Sequence, residues 1–248
     1  MTAIILAAGY ATRLYPLTLN IPKPLLRVTK DRTVLDFIVD DLERAGDFDE
    51  ITVVTNHKFY ADFCAWAKRR RATCPLAVLD DGTRTNDDRL GAVGDIFYAV
   101  EKKGIASDVV VIGGDNLFDR GFKKFFDFAR AAAPYASLGL FDIKSRKEAA
   151  RFGVVSVDKK GRVTRFEEKP EAPRSTTVAT CLYYFPKATL AHLRRYMADP
   201  ATSKDAPGHY IRWLMQKDRV YGFVLRQGQW HDIGHFGSYK EAVGQFNR

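Results

Sequence analysis

The sequence predicts an α/β protein built on a doubly wound, mostly parallel sheet. Short apolar runs alternate with segments of helical periodicity through the first half of the chain. Two of those runs end in turns, one at Gly9 and one at Gly114-Asp115-Asn116, at the strand ends where such sheets bind ligands. A length of 248 residues is enough to bury one substantial core.

Residues 3–8 form an apolar run closing on Gly9, as a parallel strand buried on both faces requires. The polar, proline-punctuated stretch from Gly9 to Pro24 reads as a loop. Residues 34–45 carry helical periodicity, with Gly46 as the stop. Strands over 51–55 and 76–79 bracket a helix over 60–70. After a loop rich in Asp, Thr, Asn and Gly come a helix over 92–103, a strand over 109–112, a helix over 122–132 and a strand over 136–141.

The second half changes character. Residues 154–157 and 163–166 flank a Lys-Lys-Gly turn and read as a hairpin. A strand over 178–185, helices near 190–197 and 210–216, a strand over 220–225 and a helix over 238–246 follow. With no internal repeat or long linker, one domain over 1–248 is expected, its halves meeting near residues 142 and 143.

Composition narrows the function. The net charge of +9 fits a nucleic-acid binder or a protein that handles phosphorylated ligands. The densest basic run, Arg69-Arg70-Arg71, is expected to be a solvated helix end complementing the helix dipole. No nucleic-acid module accompanies it, so nucleic acid is not an expected partner. Cys64, Cys74 and Cys181 lack metal-ligand spacing and are expected as buried free thiols. The five histidines form no metal motif. No apolar run is long enough to cross a bilayer, and the opening one is too short for a secretory core, so a cytoplasmic protein is expected.

Four segments carry candidate chemistry. In the first, a buried strand runs into Gly9, Arg13 offers forked donors for phosphate oxygens, and Lys23 sits between Pro22 and Pro24. It is neither a Walker loop nor a GxGxxG fingerprint. The second is Gly114-Asp115-Asn116, whose carboxylate could bridge a hard cation to phosphates or cap a turn. The third, Trp230-His231-Asp232-Ile233-Gly234, offers a second carboxylate; His231 and His235 beside it are expected to be exposed or hydrogen-bonding rather than catalytic. In the fourth, Phe166-Glu167-Glu168-Lys169-Pro170, Glu168 suits sugar hydroxyls and Lys169 a phosphate, although such a tripeptide is also an ordinary strand end.

Together the order, spacing and placement of these segments resemble the sugar-1-phosphate nucleotidyltransferases, the family that makes dTDP-, UDP-, GDP- and CDP-sugars. The opening LAAGYATRLYPLTLNIPKPLL is similar to that family's long signature. Arg89-Leu90-Gly91-Ala92-Val93-Gly94 resembles its base-approaching Leu-Gly-Thr-Ala-Gly segment. The resemblance spans essentially the whole chain and implies a Rossmann-like fold with a small β lobe on the substrate side. It also implies roles. Arg13 would bind the leaving phosphates, and Lys23 would neutralise charge near the α-phosphorus. Asp115 and Asp232 would hold Mg²⁺, and Leu6, Ala8, Gly9 and Gly91 would line the base pocket. Gly153, Glu168 and Lys169 would hold the acceptor.

The implied partners are an NTP and a small phosphorylated acceptor, a sugar 1-phosphate first, with a homo-oligomer as the family's usual state. Ala11 and Ala92 depart from the pattern, standing where glycine and threonine are usual. The Gly-Leu-Ala-Gln run of common thymidylyltransferases is missing, and no hexapeptide-repeat tail is expected. Two other readings stay open: a CTP-dependent cytidylyltransferase acting on a phosphorylated alcohol, polyol or phosphonate, and a non-catalytic sugar-nucleotide sensor.

Overall fold

The computed structural model describes residues 1–46, 48–119, 121–226 and 230–247. Its strands are β1 (Thr2–Leu6), β2 (Glu50–Thr55), β3 (Leu76–Asp80), β4 (Val109–Gly113), β5 (Asn116–Phe118), β6 (Ala136–Asp142), β7 (Gly153–Val157), β8 (Val163–Glu168), β9 (Thr177–Phe185), β10 (Val220–Leu225) and β11 (Trp230–Asp232). Its helices are α1 (Val34–Ala45), α2 (Tyr60–Arg69), α3 (Ala92–Lys102), α4 (Lys123–Ala132), α5 (Arg146–Ala149), α6 (Leu190–Ala198), α7 (Pro207–Leu214) and α8 (Phe236–Phe246).

Among the described residues the main sheet has nine strands. Its central path runs β10-β6-β9-β4-β1-β2-β3, and the β7–β8 hairpin joins through β9. Pairing is parallel from β4 through β1 and β2 to β3, and between β10 and β6. Strand β9 alone on this path runs antiparallel to both its neighbours, β4 and β6. The sheet is covered on both faces, and two apolar clusters form, one around Ile5, Val53, Val110, Ile112 and Phe125, the other around Ile4, Val111, Leu138 and Tyr183. Successive residues of β1 and β4 point into different clusters, which is why these strands are apolar throughout rather than alternating.

Local chemistry sets the ends of α1. Thr33 and Asp36 form a reciprocal capping box, satisfying two otherwise unpaired amides at its start, and Gly46 ends it. Most expected elements are found within two residues of their expected bounds, and four expectations need correction. The helix expected at 210–216 begins at Pro207, because proline at the first helical turn has no amide to lose. β5 and β11 were not expected: each has three residues, too short for a period to register, and together they make a separate two-stranded sheet. Arg70 is not solvated; its side chain is 13% exposed and pairs with Asp36, Asp40 and Glu43 of α1. The three cysteines are free thiols, but half-buried rather than buried.

Candidate active site

The carboxyl ends of β1, β2, β3 and β4 open on one edge of the sheet, and the segments singled out in the sequence gather there. β1 ends at Leu6. Ala8 is buried, its carbonyl accepting a 2.9 Å hydrogen bond from the Asn56 amide, whereas Gly9 faces open space where a Cβ would stand. The chain then turns through Ala11, whose φ of 49° lies in the left-handed region, into a 3-10 turn over Thr12–Leu14. Buried Thr18 donates to the Ala11 carbonyl at 2.8 Å and Leu14 is buried below, so the turn is held while Arg13 stays exposed.

Lys23 opens a second 3-10 turn, Lys23–Leu25, with extended Pro22 before it. Its ammonium donates to Asp115 Oδ2 at 2.7 Å, with side chains 16% and 30% exposed. Burial acts to lower the Lys23 pKa, and the Asp115 carboxylate more than offsets it, leaving the ammonium raised above its ordinary value. The other Asp115 oxygen accepts from the Asn116 amide at 2.8 Å, and Asn116 Oδ1 accepts from the Trp230 indole at 2.7 Å. Asn116 is 2% exposed. It ties the first carboxylate to the strand carrying the second.

That strand is β11. It pairs antiparallel with β5, placing Asp232 opposite Asn116, and the Ile233 amide donates to the Asp115 carbonyl at 2.9 Å. Two carboxylates separated by more than a hundred residues are thereby brought side by side. Burial first, and then the Asp115 charge, push the Asp232 carboxyl up to about 7, against the fields of Lys23, Arg151 and Arg13. The four residues Arg13, Lys23, Asp115 and Asp232 therefore form one electrostatic cluster. His231 hydrogen-bonds Gln245 at 3.0 Å and His235 caps α8, so neither histidine is an obvious base.

The residues expected to serve an acceptor, Gly153, Glu168 and Lys169, lie on or directly after the β7–β8 hairpin. Gly153 is paired with Glu168, and a Cβ there would stand 2.5 Å from the Phe166 ring. Gly208, in the first turn of α7, packs against the same two side chains, where a Cβ would fall 2.0 Å from Glu168 Oε2. These glycines let Glu168 and Phe166 be clamped between backbones. Burial raises the Glu168 pKa, opposed by Lys169 and His209. Lys169 takes a left-handed φ of 43° and its ammonium stands 3.9 Å from Glu168 Oε1. Gly91 is left-handed too, with φ 79°, and a Cβ would strike the Lys204 carbonyl at 2.4 Å; only glycine admits that approach.

Three residues near the cluster lay outside the sequence reading of the site. Asn116 stands in the sequence at the end of the Gly114-Asp115-Asn116 turn, and its polar side chain between Asp115 and apolar Leu117-Phe118 is the available signal. Arg151 acts on Asp232 and lines a cavity of about 470 Å³ with Phe152, Trp230 and Glu148. Nothing in its local sequence marks it. Cys181 sits on β9 at a left-handed φ of 52° and feels Asp115, Asp232 and Glu168; burial and those charges hold its thiol protonated. Ala11, Lys169 and Cys181 are three of the four non-glycine residues with positive φ among the described residues, and strain of this kind concentrates at functional sites.

Among the described residues, no three His, Cys, Asp or Glu side chains are disposed to enclose a metal ion. The donor set is two neighbouring carboxylates, which is what Mg²⁺ takes when a ligand's phosphates complete its shell. No helix among the described residues is long and apolar enough to cross a membrane.

The sequence model of the nucleotidyl transferase family matches residues 2–247. Among curated proteins, the glucose-1-phosphate adenylyltransferase of Thermosipho africanus is 26% identical over 274 residues, covering 100% of this chain and 62% of its own length. The protein of the same name from Desulfitobacterium hafniense is 25% identical, covering 97% and 62%. The chain thus spans less than two thirds of these relatives. A crystal structure from Bacillus anthracis, described as a glucose-1-phosphate thymidylyltransferase in complex with a sucrose, superposes with a TM-score of 0.79 at 21% identity. The match covers 99% of this chain and 95% of that one, and establishes likeness of fold.

Proposed function

The chain belongs to the nucleotidyl transferase family, and from that membership we propose that it is a magnesium-dependent enzyme that transfers a nucleotide from an NTP to a sugar 1-phosphate, releasing pyrophosphate. One observation carries the reading. Lys23, Asp115 and Asp232, from three distant segments, converge beside the glycine turn after β1, with Arg13 in electrostatic range. Such a cluster suits opposed anions, because cations screen their repulsion and carboxylates recruit a hard metal.

The reaction is an in-line displacement. An oxygen of the acceptor's phosphate forms a bond to the α-phosphorus, and the bond from that phosphorus to the β-bridging oxygen breaks. Pyrophosphate leaves with the electron pair. A phosphate monoester dianion is a competent nucleophile at neutral pH, so no side chain has to remove a proton; the work is alignment and charge neutralisation. Arg13 binds the leaving β- and γ-phosphates. Lys23 gives up Asp115 for oxygens on the α-phosphorus. Lys169 orients the attacking phosphate, and Glu168 with the Gly153 backbone receives the sugar hydroxyls. Asp115 and Asp232 would hold Mg²⁺, which supplies Lewis-acid charge against the phosphates. Leu6, Ala8, Gly9 and Gly91 line the base pocket, so residues 1–142 chiefly serve the nucleotide and 143–248 the acceptor.

Retention of Arg13, Lys23, Asp115, Lys169 and Asp232 together argues against a non-catalytic sensor. The relatives' names make ATP with glucose 1-phosphate the first substrate pair to try. The test is pyrophosphate release with Mg²⁺ over five NTPs and a panel of hexose 1-phosphates, phosphocholine, glycerol phosphate and aminoethylphosphonate. One strong NTP–hexose phosphate pair is expected. Activity confined to CTP and a non-sugar acceptor would replace the sugar reading with the cytidylyltransferase one.

A further inference from the structure

A second pair of carboxyl groups lies away from the phosphate cluster, at the other end of the same edge. Asp81 follows β3 and Asp95 lies in the first turn of α3. Asp95 is 6% exposed, and the two side chains are within hydrogen-bonding reach of each other. Asp81 Oδ1 is fully engaged, accepting from the Thr83 amide at 2.8 Å and the Thr83 hydroxyl at 2.7 Å. Asp81 Oδ2 and Asp95 Oδ1, by contrast, are buried with no donor among the described residues. Two buried acceptors without a donor, on carboxyl groups within reach of each other, lack one thing, a proton for the pair.

Among the described residues, no cation bears on Asp95 in its place. Lys204 and Asp205, whose carbonyls receive the Val93 and Ala92 amides, direct their charges elsewhere. The Lys204 ammonium goes to the Tyr196 and Asp199 carbonyls, and the Asp205 carboxylate to Arg89. Asp80 on β3 is held by His57 and the Gly82 amide, and Asp88 by the Arg84 and Thr85 amides. Tyr10, next to Gly9, is buried, and its hydroxyl, near Thr83, has no hydrogen-bond partner among the described residues. The positive end of α3 favours an anion at Asp95, but burial wins. Desolvation, then the Asp81 charge, raise the Asp95 carboxyl to about 8.

The order in space is Tyr10, Thr83, Asp81, Asp95, reaching from the Gly9 turn to the helix that starts at Gly91. Those are the two walls assigned above to the nucleobase. We propose that Asp81 and Asp95 share one proton and act as a positioning pair, pinning the loop after β3 to α3 and so setting the spacing of the nucleobase pocket. The inference rests on the nucleotidyltransferase reading for the pocket's identity, but the proton sharing does not. Neither residue is coupled to Arg13, Lys23, Asp115 or Asp232, so loss of the pair weakens nucleotide binding while leaving the chemical step intact.

A carboxyl raised in the folded state stabilises it fully below its unfolded pKa, and that contribution is lost as pH rises through the folded value. In Asp95→Asn the amide donates to Asp81 at every pH. The test compares wild type with Asp95→Asn, and with Asp81→Asn as the mirror variant should the first fail to fold. Between pH 7 and 9.5 the ratio of wild-type to variant KM for the NTP is expected to rise about fivefold, the size of one neutral hydrogen bond, with the kcat ratio within about twofold. Independently of activity, the variant's melting temperature should gain at least about 3 °C on the wild type between pH 5 and 9. A flat melting difference would overturn the shared proton, and a flat KM ratio would overturn the positioning role. A wild type without turnover on any NTP would count against the transferase reading instead, with the melting comparison still judging the pair.

Discussion

The two carboxylate pairs on this edge are neutralised in different ways. Asp115 and Asp232 are surrounded by cations: Lys23 hydrogen-bonds one, and Arg13 and Arg151 bear on the other. Among the described residues, Asp81 and Asp95 have only each other and the amide and hydroxyl of Thr83. Burial raises a member of each pair, Asp232 to about 7 and Asp95 to about 8. The same desolvation therefore serves two ends. Where cations are at hand, the role proposed for the carboxylates is to recruit and hold charge for a reaction. Where none is, the pair is a structural link that depends on a proton. Removing a carboxylate should cost activity at the first site and pH sensitivity at the second.

The largest expected effect breaks the first pair. Asp115→Asn keeps the shape and removes the charge, and should lower turnover by about two or more decades with an unchanged far-ultraviolet dichroism spectrum. Near-normal turnover would remove Asp115 from the mechanism. Lys23→Ala should lose about one to two decades of turnover, read under saturating substrates. Metal binding sharpens the same contrast. Mg²⁺ with an NTP should raise the melting temperature of the wild type, by linkage to the folded state, and the magnesium-dependent increment should vanish in Asp232→Asn but persist in Asp95→Asn.

Smaller effects lie toward the acceptor and the loops. Glu168→Ala should raise KM for the acceptor about tenfold and leave KM for the NTP within about twofold, the pattern of a lost ground-state contact. Equal changes in both would place Glu168 in the shared phosphate machinery. Ala11→Gly is the mildest: relief of a left-handed alanine and the added freedom of the unfolded chain oppose each other, so unfolding free energy by denaturant titration should change by less than about 1 kcal/mol.

The same contrast explains how far the sequence could be read. The strands and helices of the first half were legible because apolar period and capping residues agree, as in α1, where the periodic residues, the acidic first turn and Gly46 all point to one helix. The convergence of Arg13, Lys23, Asp115 and Asp232 was legible because each sits in a compact segment at the end of such an element. β5 and β11 were not, since three-residue strands carry no period and their pairing is set by tertiary contacts through Asn116 and Trp230. Arg70 was misplaced because its partners lie on α1, far away in sequence. Asp95 left a trace that went unused: it falls among Val93, Ile96, Ala99 and Val100 on the buried face of α3, where an acid requires a partner.

Whether the cluster of Arg13, Lys23, Asp115 and Asp232 transfers nucleotides is decided by pyrophosphate release in the presence of Mg²⁺, with wild type and Asp115→Asn assayed side by side over the NTP and acceptor grid. Release is expected with one NTP and a hexose 1-phosphate, lowered about a hundredfold or more in the variant. Release that is equal in both proteins, or none from a wild type that binds the NTP, would contradict it.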